Sequence, residues 1–401
     1  MTDRIKKVGV FFGGRSPEHD ISVVTGLQVT AALDPSLFEI IPVYISTSGR
    51  WYTGEALLDR NNYLPKGSVL EKLTHVQLGL GTGGQATLLP VDPKNKKAKP
   101  IPLDFAIPAF HGVQGEDGCI QGAFEMAGLP YSGMRVLAAA AFMDKLTTKE
   151  LLRDEGIPLL PTININRPER GLLILPEELQ KIVGDLVFPC ILKPRHLGSS
   201  IGVAKCDNMQ ELADSLPEVF RFDKAAIVEP FVPNLVEYNV SVARIGGETR
   251  TSAIERPKHS SELLDFKAKY LSSGGGTKDG GAKQLGRPSE GMLSLTRDIN
   301  PELPGGMSEN IRTWARKTFD HLGASGAPRI DFLSNSKTGE VWLNEVNPLP
   351  GSFAYFLWEA ATPSVAFTDL IEHFIKEGED LHRRSRLPDD PTPTDARLFK
   401  R

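Results

Sequence analysis

GEVWLNEVNPLPG, residues 339–351, is the stretch that decides the fold prediction. Residues 341–343 have the apolar character of a short buried strand, and two prolines and a glycine follow shortly after it. Glu345 and Asn347 are two positions apart, so an extended chain directs both side chains to the same side. The stretch therefore predicts a strand whose end presents a carboxylate and an amide to one point.

A strand that precedes this stretch offers a third oxygen ligand. Asp331 lies in RIDFL, and SNSKTG between it and residue 340 is typical of a turn. A hairpin would place Asp331 beside Glu345 and Asn347, and two carboxylates with an amide oxygen suit Mg²⁺. Arg329 would add a fixed cation on the same face. From these residues alone, an exposed hairpin with an incidental ion pair is an equally good interpretation.

Two lysines are candidates for phosphate binding. Lys193 ends a predicted strand in CILKPRHLGSSIGVAK, and the Gly- and Ser-rich turn after it would let backbone N–H groups approach phosphate oxygens. Lys145 lies near a predicted helix start in FMDKLTTK. A plain hairpin turn and an exposed helix lysine are the alternatives. The chain contains no GxxxxGK[ST] motif, and without HExxH or a Cys/His cluster we expect no zinc site.

Acidic and glycine-rich segments supply further candidates. Glu229 and Glu237 in IVEPFVPNLVEYNV could hold ribose hydroxyls, while the backbone between them reads adenine. His111 lies in the glycine-rich HGVQGEDGCIQG, which is typical of an active-site loop. Glu18 in FFGGRSPEHD could receive a substrate ammonium at a predicted helix start. Surface carboxylates, a surface turn and helix capping are the corresponding alternatives.

The composition of the 401-residue chain is that of a globular protein with two or three domains. Its net charge of −4 gives no reason to expect a nucleic-acid partner. The three cysteines form no CxxC pair, which favours a reducing compartment. The N-terminus has no signal-peptide pattern, and no stretch approaches the roughly 20 apolar residues of a membrane span. We therefore expect a cytoplasmic protein without a membrane partner.

Alternating strand and helix patterns predict an α/β architecture. Residues 8–12, FEIIPVYIS, LDFAIPAFHG and GLPYSG are four predicted strands of the first part. The loosely patterned segment between the second and third of them is predicted to be an exposed insert. Residues 272–290 are Gly-rich and polar, and are predicted to be either a mobile lid or a disordered insert.

Eight segments in order resemble the D-alanine–D-alanine ligases of the ATP-grasp superfamily. They are FFGGRSPEHDIS, HGVQGEDGCIQG, MDK, LKPRHLGSSIGV, VEPFV, FKAKYL, RIDF and NEVNPLPG, and they span residues 8 to about 351. The resemblance implies an α/β (α+β) fold, an N-terminal open α/β domain followed by two ATP-grasp subdomains. The implied regions are a substrate-binding domain at 1–143, a small subdomain at 144–237, a C-terminal subdomain at 238–376 with its lid at 272–290, and a flexible tail at 377–401.

The resemblance also implies roles for individual residues. Those expected to bind ATP are Lys145, Lys193, Ser200, Glu229, Phe231, Val232, Glu237 and Lys269. Those expected to bind two Mg²⁺ ions, with Mn²⁺ as an alternative, are Asp331, Glu345 and Asn347. Those expected to bind substrate or act in catalysis are Glu18, His111, Ser199, Tyr270, Arg329 and Gly351; in this scheme Ser199 and Tyr270 link Glu18 to the lid.

The implied reaction joins two D-alanines through an acyl phosphate, for peptidoglycan precursor synthesis in a homodimeric enzyme. Two departures concern the second substrate: Phe356 stands where the family usually carries a hydroxyl residue, and the segment after FKAKYL is long and Gly-rich. An ATP-grasp ligase with another amino acid or a D-hydroxy acid as acceptor is therefore an alternative. A non-catalytic nucleotide-binding homologue is a second alternative, although the complete metal and oxyanion set argues against it. The strand at 8–12 lacks GxGxxG, which argues against a dinucleotide oxidoreductase.

Overall fold

The computed structural model describes residues 5–62, 67–80, 85–91, 98–258 and 297–385, together with residues 387 and 396. The predicted lid at 272–290 lies outside the described residues, and so do Lys269 and Tyr270. Three sheets organise the described chain. None of the helices in these ranges is long and apolar enough to cross a membrane.

A seven-stranded sheet, ordered β6-β5-β4-β3-β2-β1-β7, forms the N-terminal part. Its strands are β1 Lys6–Gly13, β2 Phe38–Ile45, β3 Trp51–Thr53, β4 Thr74–Leu78, β5 Thr87–Pro90, β6 Ile101–Pro102 and β7 Phe105–Pro108. Strand β1 is parallel to β2 and β7, and the remaining neighbours are antiparallel. The carboxyl ends of β1 and β7 therefore meet at one edge, where α/β sheets commonly bind ligands.

Two predictions for this part were wrong. The segment between the second and third predicted strands is not simply an exposed insert, because β3 to β6 extend the sheet through it and bury Val76 and Leu88. These strands are only two to five residues long and are separated by Gly- and Pro-containing connections, so they leave a weak periodic pattern. The fourth predicted strand, GLPYSG, is reduced to a single bridge between Tyr131 and Ala106.

Helix α1, His19–Ala32, packs directly against β1 and brings Glu18 to the carboxyl edge of the sheet. The close approach needs a residue without a side chain at Gly26, because a Cβ there would lie 2.5 Å from the ring of Phe12. The other helices before residue 160 are α2 Ser68–Lys72, α3 Cys119–Met126, α4 Val136–Met143 and α5 Lys145–Leu152. The Asp144 carboxylate caps α5 by accepting the Leu146 and Thr147 N–H groups, each at 3.1 Å, and so places Lys145 at the helix start.

A four-stranded antiparallel sheet, ordered β10-β9-β11-β8, forms the second layer. Its strands are β8 Ile163–Asn166, β9 Cys190–Pro194, β10 Ala204–Cys206 and β11 Ala225–Pro230. Helices α6 Pro176–Val183 and α7 Met209–Phe220 pack on it and share its apolar core. The other face of the sheet is left for contact with the third layer.

A five-stranded antiparallel sheet, ordered β14-β13-β12-β15-β16, forms the third layer. Its strands are β12 Leu235–Ile245, β13 Glu248–Pro257, β14 Arg297–Ile299, β15 Arg329–Asn335 and β16 Val341–Asn347. Helix α8, Met307–His321, covers the core face of this sheet. The last two helices of the described residues are α9, Tyr355–Glu359, and α10, Phe367–Ser385. The predicted hairpin of β15 with β16 is confirmed, and β12 and β13 form a second antiparallel pair.

Two of the predicted boundaries need correction. The boundary predicted at 237 falls inside β12 and therefore divides a strand. The flexible tail predicted from residue 377 was wrong as far as residue 385, because α10 continues to that point. Its apolar residues Leu370, Ile371, Phe374 and Ile375 are buried in the core of the N-terminal sheet.

Glu377 on α10 gives a prediction about stability. Its carboxylate accepts the Gly326 N–H at 2.7 Å, and burial raises its pKa to about 7. A carboxyl whose pKa is higher folded than unfolded binds more protons in the folded state, so stability falls as the pH rises from about 4.5 to 7. We expect Glu377→Gln, which retains an acceptor oxygen, to raise the free energy of unfolding by about 1–3 kcal/mol at pH 8.

The measurement is urea unfolding at pH 4.5 and pH 8, with Glu372→Gln on the same helix as the matched control. At pH 4.5 the folded protein carries almost no charge at residue 377 in either form, so the Glu377→Gln variant and the parent should unfold at nearly the same urea concentration. An equal difference at both pH values would contradict the assignment.

Candidate active site

The hairpin of β15 and β16 brings the three predicted metal ligands together. Asp331 is the cross-strand partner of Glu345, and Arg329 is that of Asn347. The Asn347 Nδ2 donates to Asp331 Oδ2 at 2.9 Å, while Arg329 donates from Nε and an Nη to the two Asp331 oxygens at 2.7 Å each. Burial raises the pKa of Asp331 to about 6. Two carboxylates and an amide at one sheet edge fit the hard oxygen ligands that Mg²⁺ prefers.

A β-bulge in β16 decides which side chains face the cleft. The register shifts between the Asp331–Glu345 and Phe332–Leu343 pairs, so Asn344 is the extra residue of β16. Leu343 and Val346 both enter the core although they are three positions apart. Asn344 and Glu345 consequently both face the cleft, which simple alternation does not allow. The Asn344 Oδ1 accepts a hydrogen bond from the Lys193 ammonium at 2.8 Å, which joins the second and third sheets.

Glu229 lies between two lysines at the centre of the cleft. It is 1% exposed and forms ion pairs with Lys193 at 2.7 Å and with Lys149. Burial lowers the pKa of Lys193 to about 8 and also lowers that of Lys149. The Glu229 carboxylate therefore holds two lysines in place. Its contact with the nucleoside stays a prediction. Sequence reasoning missed Lys149, although it lies one helical turn after Lys145 on the same face.

Lys145 lies beside Glu345, one of the predicted metal ligands. Its ammonium donates to the Leu197 carbonyl at 2.5 Å and forms an ion pair with Glu345 at 3.0 Å. Leu197 precedes the Gly198–Gly202 turn, where Ser199 and Ser200 both adopt left-handed φ angles of 53° and 58°. Lys145 is thus connected to the turn on one side and to Glu345, a predicted metal ligand, on the other.

A small apolar cluster lies on the cleft side of the third sheet. It consists of Val232, Leu160, Leu333 and Trp342. Val232 is a predicted nucleoside contact, whereas Leu333 and Trp342 were missed because each reads as an ordinary strand residue in the sequence. Glu237 is the cross-strand partner of Leu333, which places it on β12 beside the cluster. The other predicted contact, Phe231, lies with its ring centroid 5.2 Å from the Lys205 ammonium.

Glu18 and His111 converge from the carboxyl edge of the first sheet. The Ser199 hydroxyl donates to Glu18 Oε1, which joins the turn of the small subdomain to the start of α1. His111 lies in contact with Thr25, Nε2 to Oγ1 at 2.9 Å, and burial lowers its pKa to about 4. The imidazole is therefore neutral near pH 7. The prediction of a hydrogen-bonded Ser199–Glu18 link is supported by this geometry, and its third member, Tyr270, lies outside the described residues.

Glu116 connects this region to the end of β16. Its carboxylate accepts the Gly112 N–H at 2.6 Å and the Leu349 N–H at 2.8 Å. Its pKa is raised to about 8, mainly by burial and to a smaller extent by the nearby charge of Glu18. Sequence reasoning assigned Glu116 no role, because its partner at Leu349 lies far along the chain.

One cavity collects residues from six of the eight segments that carry the resemblance. Among the side chains and backbone that line it are those of Glu18, His111, Lys145, Arg329, Glu345, Asn347 and Gly351. It therefore combines carboxylates, a lysine, a guanidinium and an amide around one space. Lys193, Glu229 and the apolar cluster lie further along the cleft.

Comparison with protein families matches both halves of the chain to one family. The family model described as "D-ala D-ala ligase N-terminus" matches residues 7–134, and the one described as "D-ala D-ala ligase C-terminus" matches residues 151–376. The second match alone covers more than half of the chain.

Curated relatives agree over almost the full length. A D-alanine–D-alanine ligase of Thermosipho melanesiensis is 30% identical over 383 residues, which cover 95% of each chain. A D-alanine–D-alanine ligase of Enterococcus faecalis is 32% identical over 381 residues, covering 92% of this chain and 98% of the relative.

Solved structures share the architecture. The D-alanine–D-alanine ligase of Coxiella burnetii superposes with a TM-score of 0.74 at 23% identity, covering 95% of this chain and 96% of the other. The VanG D-Ala:D-Ser ligase of Enterococcus faecalis superposes with a TM-score of 0.72 at 26% identity, covering 94% and 100%. The two antiparallel sheets with their shared cleft are thus those of an ATP-grasp fold, and the chain belongs to the D-alanine–D-alanine ligase family.

Proposed function

We propose that the protein is an ATP-dependent ligase that joins two D-alanines into D-alanyl-D-alanine, a peptidoglycan precursor, and releases ADP and phosphate. The observation that carries this proposal is the cavity that Glu18, Arg329 and Gly351 line together with Glu345 and Asn347. A carboxylate can receive an ammonium, a guanidinium and a backbone N–H can stabilise an oxyanion, and the oxygen ligands can hold a metal. The curated relatives carry the name of the same activity.

In the first step, the carboxylate of the first D-alanine attacks the γ-phosphorus of ATP, and the bond to the β-phosphate oxygen breaks to give an acyl phosphate and ADP. Glu18 holds the substrate ammonium, and Lys145 and Lys193 place positive charge near the phosphates. Asp331, Glu345 and Asn347 would hold Mg²⁺ or Mn²⁺, which when bound offsets negative charge on phosphate oxygens. The resemblance implies two such ions.

In the second step, the amine of the second D-alanine attacks the acyl carbon, and the tetrahedral intermediate collapses with loss of phosphate. Arg329 and the Gly351 N–H lie where they can stabilise its oxyanion, since both line the cavity. The two hydrogen bonds from Arg329 to Asp331 fix the orientation of the guanidinium. Preorganised donors of this kind stabilise developing charge without reorganising during the reaction.

For the nucleotide, we place adenine against the apolar cluster that contains Val232 and Trp342, near Phe231. Glu237, beside that cluster, would hold the ribose hydroxyls. Glu229 contributes by positioning Lys193 and Lys149, as its two ion pairs support. Ser200 in the turn after Leu197 would donate to a phosphate, and Lys269 is proposed to do so on the strength of the resemblance alone.

A different acceptor is the second candidate, and Phe356 is the observation that favours it. Phe356 occupies the position where the family resemblance leads us to expect a hydroxyl group for the carboxylate of the second substrate. The guanidinium carbon of Arg297 lies 4.4 Å from the centroid of the Phe356 ring. An aromatic ring cannot form that hydrogen bond, so another amino acid or a D-hydroxy acid is the alternative second substrate.

The test is phosphate release from ATP and Mg²⁺ with D-alanine, with L-alanine and without an amino acid, with mass detection of the product. We expect release that depends on D-alanine, and D-alanyl-D-alanine as the product. ADP formation without dipeptide would support the different acceptor, and no release under any condition would contradict the ligase. Size-exclusion chromatography of the same sample tests the predicted homodimer.

A further inference from the structure

Three consecutive residues after Gly351 adopt a left-handed backbone, and none of them is glycine. The φ and ψ angles are 52° and 29° at Ser352, 54° and 24° at Phe353, and 51° and 33° at Ala354. This conformation brings the Cβ of an L-residue close to the following carbonyl oxygen, so such residues normally occur singly. A run of three must be held by its surroundings, and such strain clusters at ligand-binding sites.

Helix α1 supplies the groups that hold this left-handed turn. The Ser352 N–H donates to Thr25 Oγ1 at 3.1 Å, and the Ser352 hydroxyl donates to Gln28 Oε1. Thr25 and Gln28 are three positions apart, so they lie on one face of α1. On the other side, the buried Phe353 ring packs edge-on against Phe374 of α10, with 5.4 Å between centroids.

Thr25 extends these contacts to the other side of Gly351. The Thr25 hydroxyl lies 2.9 Å from Nε2 of His111, and His111 also hydrogen-bonds to the Leu349 backbone. With the imidazole donating from Nδ1 to the Leu349 carbonyl, its Nε2 accepts the Thr25 proton while Thr25 Oγ1 accepts the Ser352 N–H. Gly351 is therefore bracketed by hydrogen bonds at positions 349 and 352.

The location of the left-handed turn connects it to the second substrate. It starts directly after Gly351, whose N–H is a proposed oxyanion donor, and it ends directly before α9, which carries Phe356. A relaxed right-handed or extended backbone over residues 352–354 would redirect both groups. The hydrogen bonds from α1 thus determine the position of the acceptor side of the cavity.

We propose that Gln28 is a positioning residue for the second substrate, acting through the Ser352 hydroxyl to hold the left-handed turn; this inference rests on the proposed function. Gln28 is chosen over Thr25 because its hydrogen bond goes to Ser352 in the turn, whereas Thr25 also contacts His111. Glu18, which we place at the first substrate, and the ATP-binding lysines do not contact Gln28 in the described part of the chain.

The kinetic test separates the two Michaelis constants for D-alanine by fitting initial rates to a two-site equation. Gln28→Ala should raise the constant for the second D-alanine at least about fivefold, the loss expected for one hydrogen bond. The constants for the first D-alanine and for ATP should stay within about twofold. Gln28→Glu, whose carboxylate accepts the same hydroxyl, should restore the parent value, and Gln210→Ala is the matched control on α7.

A double-mutant cycle shows whether the effect runs through Ser352. Ser352→Ala should reproduce the effect of Gln28→Ala, and the combined variant should be no worse than either alone. Equal increases in both D-alanine constants, additive effects or an unchanged second constant would each overturn the proposal. If the parent protein forms no dipeptide, the proposed function fails instead.

A readout that does not depend on turnover completes the test. Amide hydrogen exchange over residues 351–356 should accelerate at least about tenfold in Gln28→Ala, and unchanged exchange there would overturn the proposal.

Discussion

Glu345→Gln is expected to lower the rate of ADP formation at least about 10³-fold. A metal ion held by Glu345 would stabilise the negative charge of the transition state by several kcal/mol, and the variant would lose this stabilisation. The substitution keeps the shape of the side chain and removes one of the two carboxylates of the proposed metal site. It also removes the charge that Lys145 pairs with at 3.0 Å. The measurement is steady-state ADP release over a range of Mg²⁺ concentrations, with circular dichroism to follow thermal unfolding.

The matched control is Glu340→Gln on the same hairpin. Glu340 is exposed and bonds to the Thr338 hydroxyl, so its substitution should leave the rate within about twofold. A Glu345→Gln variant that unfolds cooperatively and still turns over at the parent rate would refute the metal assignment. Loss of activity together with loss of the cooperative transition would instead indicate a structural role for the Lys145 ion pair.

Glu229→Gln is expected to lower the free energy of unfolding by about 3–5 kcal/mol, the cost of removing one partner from a buried ion pair. Glu229 is the shared partner of Lys149 and Lys193, and both lysines already carry pKa values that burial has lowered. Glutamine can still accept the hydrogen bond from Thr162. The lost free energy of unfolding therefore reports on the missing negative charge. Urea unfolding followed by circular dichroism measures the change.

A second substitution shows whether the uncompensated charge is the cause. Adding Lys149→Met to Glu229→Gln removes one of the two stranded ammonium groups, so it should recover part of the lost stability. Glu218→Gln on α7, at an exposed i,i+3 ion pair with Arg221, is the neutral control because exposed ion pairs contribute little. Equal stability of Glu229→Gln and the parent would contradict the buried-charge account.

The hairpin at the centre of the site was predictable from the sequence because its evidence is local. Glu345 and Asn347 are two positions apart, which places both side chains on one face of their strand. A turn separates this strand from the strand of Asp331, which pairs with Glu345. The bulge at Asn344 was not predictable in the same way. Asn344 is polar, and a polar residue beside Glu345 does not show whether the strand contains a bulge. Only the packing of Leu343 and Val346 in the same core reveals the extra residue.

Long-range pairing explains why the contacts of Glu229 and Glu116 were not predicted. The partners of both carboxylates lie far away along the chain. Lys149 reaches Glu229 from α5, and the Leu349 N–H reaches Glu116 from the end of β16. The family resemblance predicted which distant segments come together in the fold. The spacing of residues along the chain does not contain that information.

The bulge at Asn344 makes the tolerance of β16 to length changes unequal. Deleting Asn344 would leave Val341, Leu343 and Val346 alternating with Trp342, Glu345 and Asn347, so the metal ligands would keep their phase and only the contact to Lys193 would be lost. Inserting one residue after Glu345 would turn Asn347 toward the core and Val346 toward the cleft. Natural variation in the length of β16 should therefore consist of the loss of one residue at the bulge. A strand that keeps the bulge is recognised by its buried apolar residues, which are two positions apart from Val341 to Leu343 and three apart from Leu343 to Val346.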